Sequence, residues 1–133
     1  MKGRFWISVV AMFLMSMVLG MLVHGMLLGG DYARLPNLMR SEQAAQQMFP
    51  VMILAHVVLA LGFTWIYLKG REDKGWFAQG LRYGIAVAVL ASIPTYLIYY
   101  AVMPFPSDLV AQQIVFDTIS FALMGIAIAW INR

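Results

Sequence analysis

The sequence predicts an all-α membrane protein, an antiparallel up-down-up-down four-helix transmembrane bundle. Three observations predict it. Of 133 residues, 62% are apolar and 11% are charged, whereas soluble domains carry about 25% charge. Mean hydropathy is +0.80. The apolar residues gather into four runs, 5–28, 49–68, 77–101 and 109–131, each near the ~20 residues that cross a bilayer core. A soluble domain of this size cannot hide so much apolar surface, because small domains bury the smallest share of theirs. Cysteine is absent, which removes disulfides, thiolate metal sites and cysteine nucleophiles. One transmembrane domain, residues 1–133, accounts for the chain.

The first run follows Lys2 and Arg4. It exceeds the roughly 7–15 apolar residues of a secretory leader and no A-x-A-like site follows it, so a retained helix is expected. Between runs one and two, Asp31 is expected to cap a short turn through Tyr32, Ala33 and Arg34. Pro36 should then break the chain. Ser41 suits an N-cap and Glu42 the positive end of the helix it opens. That helix should begin ahead of the membrane and bend near Pro50. In run three, Pro94 lacks an N–H and should kink the helix. Ser107 is expected to cap run four. Short connections make sequential helices antiparallel neighbours. The matching triplets at 45–47 and 111–113, Ala-Gln-Gln in both, hint at a duplicated hairpin.

Charge sets the expected orientation. Lys2, Arg4, Lys69, Arg71, Lys74, Arg82 and Arg133 fall at one end of the bundle, and only Arg34 and Arg40 at the other. By the excess of basic residues on the cytoplasmic side, both termini should be cytoplasmic. The net charge of +3 is this asymmetry rather than a basic face for nucleic acid. Trp6, Trp65, Tyr67, Trp76 and Trp130 should form an aromatic belt at the basic end, with Tyr32, Tyr99 and Tyr100 at the far end.

Ionisable groups inside a membrane are expensive and are functional candidates. Run one offers His24, run two His56, run three Tyr96 and Tyr99, and run four Gln113 and Asp117, all in the half away from the basic end. Gln113, Asp117, Ser120 and Met124 follow helical spacing and share a face, as do Ser92, Tyr96 and Tyr99. The other half carries only Ser8, Ser16 and Thr64. A hydrogen-bond network fixing helix register is one reading of this layer. A cofactor or small-molecule site formed by His24, His56 and Asp117 is the other, with b-type haem the first candidate, since two histidines on neighbouring helices can ligate its iron. Copper held by His24, Met21 and Met26 is a lesser candidate, because no recognisable ligand spacing accompanies them. Motifs for nucleophilic, phosphate-binding or zinc-hydrolase chemistry are absent. Gly25 with Gly29, and Gly80 with Gly84, have the G-x-x-x-G spacing that lets membrane helices approach closely.

The run His24-Gly25-x-Leu27-Leu28-x-x-x-Tyr32, followed by Pro36, Arg40 and a glutamine-rich lead into run two, resembles small uncharacterised four-span bacterial inner-membrane proteins. That resemblance implies a location in the bacterial inner membrane and no activity. The helix count is similar to that of cytochrome b-type and DoxX-type bundles, in architecture only. With almost no chain outside the bilayer, a non-enzymatic accessory or assembly subunit is expected, with lipid and other membrane subunits or further copies of the chain as partners.

Overall fold

The computed structural model describes residues 2–133, the side chain of Lys2 excepted. The chain runs as α1 (Lys2–Gly20), a π-helical segment (Met21–Leu27), α2 (Gly29–Ala33), α3 (Glu42–Gln47), α4 (Phe49–Gly70), α5 (Trp76–Val87), a second π-helical segment (Ala88–Ser92), α6 (Ile93–Val102) and α7 (Ser107–Ile131). Among the described residues no strand occurs. Four helical stretches are long and apolar enough to cross a membrane: Gly3–Leu27, Phe49–Gly70, Trp76–Val102 and Ser107–Ile131. These are spans one to four, and they form an all-α four-helix bundle.

The local signals act where the sequence puts them in most cases. Ser41 Oγ accepts from the Ala44 N–H at 3.3 Å and opens α3. The chain breaks at Met48, and Pro50 sits in the first turn of α4, where a missing N–H costs no helical bond. Pro94 likewise opens α6. Its ring cannot accept the preceding turn in α geometry, and the π-helical segment at 88–92 is the wider turn that absorbs the conflict. Two expected caps are not formed. Pro106 is the residue before α7, and Ser107 is already helical with no capping bond. Pro106 supplies the extended entry geometry itself, leaving Ser107 no non-helical position from which to cap. Asp31 lies inside the first turn of α2 rather than ahead of it, because the helix starts earlier, at Gly29. There it favours the helix dipole and reaches Arg34 at 3.9 Å.

Span two packs on span one, span one on span four, and span four on span three. The last seam is the tightest. A Cβ on Gly80 would lie 2.7 Å from Ala129 Cβ, one on Gly84 2.7 Å from Ala122 Cα, and one on Gly125 2.7 Å from Gly84 N. Only hydrogen fits at these three positions, so the backbones of α5 and α7 touch, as small-residue seams in membranes allow. Gly25 and Gly29 play no such part. Nothing lies within 4 Å of a Cβ on Gly29, and Gly25 meets only Met21 of its own helix. Both lie on a side of the chain that meets no backbone of a neighbouring helix.

The main core joins Val9, Met12, Ala60, Phe63, Tyr67, Met124 and Ile128 in the basic half. Tyr67 is 3% exposed, so it belongs to this core and not to the aromatic belt. Tyr83 of α5 closes the bundle between spans two and three. Its hydroxyl donates to the Phe63 carbonyl at 2.5 Å, and its ring stands 4.6 Å from that of Phe63 and 5.3 Å from that of Tyr67. At the basic end Asn132, 6% exposed, donates to Ser8 Oγ and the Ile128 carbonyl, each at 2.9 Å. Arg71 donates to the Asn132 carbonyl at 2.6 Å. The basic half is thus more polar than the three residues Ser8, Ser16 and Thr64 suggest.

Away from Tyr83, spans two and three part. Met52 precedes Phe63 by eleven positions and so shares its helix face, yet Met52 is 52% exposed. There span two packs chiefly on its hairpin partner, span one, and span three chiefly on span four. A second small cluster of Val23, Leu28 and Leu109, covered by Tyr32, Leu35, Phe105 and Phe116, seals the far ends of spans one and four.

Candidate functional site

The far-end cluster carries a chain of polar side chains drawn from four elements. His24 lies in the π-helical segment of span one. This wider turn is a common device where a helix must re-aim a side chain. Its Nε2 stands 3.1 Å from Asp117 Oδ1 on α7, and its Nδ1 stands 2.7 Å from the Tyr32 hydroxyl on α2. Tyr96 of α6, one turn beyond the other π-helical segment, donates to Asp117 Oδ2 at 2.5 Å and lies 3.4 Å from His24 Nε2. Gln113, one helical turn from Asp117, donates from Nε2 to the Tyr32 hydroxyl at 3.0 Å.

Proton bookkeeping gives this chain a direction. With neutral His24, Gln113 donates to Tyr32, Tyr32 to Nδ1, Nε2–H to Asp117, and Tyr96 to the other carboxylate oxygen. Every donor then has an acceptor, and the carboxylate is the terminus. With His24 protonated, Nδ1–H donates to Tyr32 instead, and the Tyr32 proton turns away. The heavy-atom frame accommodates both states. Low dielectric strengthens each of these bonds and raises the cost of leaving any one unmade. The His24 side chain is 34% exposed and that of Asp117 17%, so the chain lies at the edge of the bundle rather than sealed in its centre.

Tyr32 projects from outside the spans, and burial pushes its hydroxyl above the usual tyrosine range, partly offset by the bond from Gln113. It is the member the sequence reading assigned to the aromatic belt. The spacing of eight from His24, across Gly29 and Gly30, is the signal that could have found it. Those glycines begin a turn that folds α2 back over span one.

The structure brings His24, Tyr96, Gln113 and Asp117 together. It does not bring His56 or Tyr99 to them. Tyr99, three residues after Tyr96, is rotated off the face and is 48% exposed. His56 is held separately: its Nδ1 lies 2.9 Å from Ser16 Oγ, and Ser16 donates to the Phe13 carbonyl at 2.9 Å. With that hydroxyl proton committed, His56 Nδ1 is the donor, and in the neutral ring Nε2 carries the lone pair. The ring packs beside Gly20, where a Cβ would lie 3.4 Å from His56 Cε1, an ordinary van der Waals contact. Gln113 is buried while Gln47, its counterpart in the matching triplet, is exposed. The triplets therefore occupy unlike environments.

For a haem, His24 would have to give up one of two partners, and the two imidazoles stand on separate hydrogen-bond systems. Met21 and Met26 are both exposed on the outside of the same π-helical segment. Among the described residues no group of three or more His, Cys, Asp or Glu side chains is placed to hold a metal ion. Comparison with known families, curated proteins and solved structures finds no match to this chain, so the functional reading rests on its own geometry.

Proposed function

We propose that the chain is a non-enzymatic accessory or assembly subunit of a larger complex in a bacterial inner membrane, with both termini cytoplasmic. The single observation that carries this reading is the parting of spans two and three. Phe63 meets Tyr83, while Met52 on the same face is 52% exposed. A helix face used at one end and unpaired at the other suits an apolar segment of a partner. The hydrogen-bonded chain from Gln113 to Tyr96 supports the same reading: its groups satisfy one another and hold three spans in register beside the opening. The concentration of basic residues at the end that carries both termini supports the orientation.

A photoreactive residue at Met52, with one at Val10 on the outer face of span one as control, tests the proposal in native membranes. A discrete protein adduct at Met52 and none at Val10 is expected. An adduct of twice the chain's mass identifies the partner as a second copy. Lipid adducts alone at both positions overturn the reading.

A further inference from the structure

The basic end holds a cavity of about 580 Å3 between the first span, the loop after span two and the end of span four. Four cations line it, Arg4, Arg71, Lys74 and Arg133, against the carboxylates of Glu72 and Asp73. Lys74 is committed to Glu72 by an ion pair, and that pairing draws the Glu72 carboxyl below its usual range. The remaining charge is an excess of arginine. Arg71 is anchored, because its Nη1 donates to the Asn132 carbonyl. Arg133 lies over the rings of Trp76 and Trp130, 5.9 and 5.1 Å from their centroids. Tryptophans of this kind mark the headgroup level of a membrane. The volume is within the range of small-ligand sites, and arginine's planar fork matches phosphate oxygens in pairs.

We infer that this cavity binds the phosphate group of an anionic phospholipid headgroup, with Arg4 and Arg133 as its clamps and Arg71 as its fixed wall. The site is separate from the partner-facing opening, which lies toward the other end of the bundle. Basic pockets between membrane helices recognise such headgroups through the same chemistry.

The test uses the full chain in nanodiscs of phosphatidylcholine with a minor share of phosphatidylglycerol, read by native mass spectrometry. Phosphatidylglycerol should be retained in preference to phosphatidylcholine. Arg4→Gln and Arg133→Gln should each lower that preference by about fivefold, the worth of one basic side chain at an anionic surface. Lys69→Gln, an exposed cation outside the cavity, should leave it unchanged. Inorganic phosphate added to the discs distinguishes the sources: displacement of the lipid shows that the phosphate group alone suffices, and retention shows that the lipid headgroup is required. Equal retention of the two lipids overturns the proposal. So does an equal loss for Lys69→Gln, which would reduce the site to diffuse surface charge.

Discussion

At the scale of single residues, the most consequential position is Asp117, which accepts from two other spans at once. Interhelical hydrogen bonds in membranes average about 0.6 kcal/mol, but a stranded polar group costs about 1–3 kcal/mol. Asp117→Ala strands both the Tyr96 hydroxyl and one nitrogen of His24, and is expected to lower stability by about 2–3 kcal/mol. Asp117→Asn keeps one acceptor and should cost less. Unfolding in mixed micelles measures both, and equal losses would show that the acceptors do not matter. Tyr32 adds a dependence on pH. Burial raises its pKa above 10.0, so its contribution is complete below the unfolded value and is lost as pH rises through the folded one. Alkaline unfolding should therefore begin above about pH 10, and Tyr32→Phe should blunt that part of the loss; an identical alkaline profile for the variant would exclude Tyr32 as its source. His24, Tyr96, Gln113 and Asp117 were legible in the sequence because hydrocarbon punishes polar groups. Tyr32 was not, because a tyrosine beside an interface satisfies the belt pattern equally well. Asn132 escaped for a similar reason: near a chain end a polar residue looks solvated until a tertiary partner such as Ser8 is known.

At the scale of elements, the seam between α5 and α7 sets the geometry of span three. Gly84→Ala would drive a methyl into the backbone at Phe121 and Ala122. Backbone cannot yield as a flexible side chain can, so a loss of at least the about 1–3 kcal/mol of ordinary overpacking is expected. Gly25→Ala meets only the Met21 side chain at 3.6 Å and should cost nothing, alanine being the better helix former by about 0.5–1 kcal/mol. Thermal unfolding of the two variants side by side checks the contrast; similar losses would place the seam elsewhere. Both glycine pairs had the same spacing in the sequence. Spacing cannot separate them because the distinguishing fact lies on another helix: Gly125 faces one pair and nothing faces the other. Helix boundaries were legible from apolar run length, and Pro94 announced a disturbance. The π-helical turn that carries His24 has no proline to announce it.

At the scale of the molecule, the four spans and their alternation followed from hydropathy and short connections. The order of packing, and the gap it leaves, depended on where small residues and Tyr83 meet. The absence of cysteine makes the topology simple to test. Single cysteines replacing Lys74 and Asn37 should react with an impermeant thiol reagent from opposite sides of the membrane, with Lys74→Cys on the same side as a tag after Arg133. Labelling of both from one side would refute the bundle's orientation in the bilayer. The bond between Ser8 and Asn132 joins positions 124 residues apart. During synthesis Ser8 therefore waits for this partner until all four spans have been made. A chain terminated before Asn132 lacks this latch between the first and fourth spans.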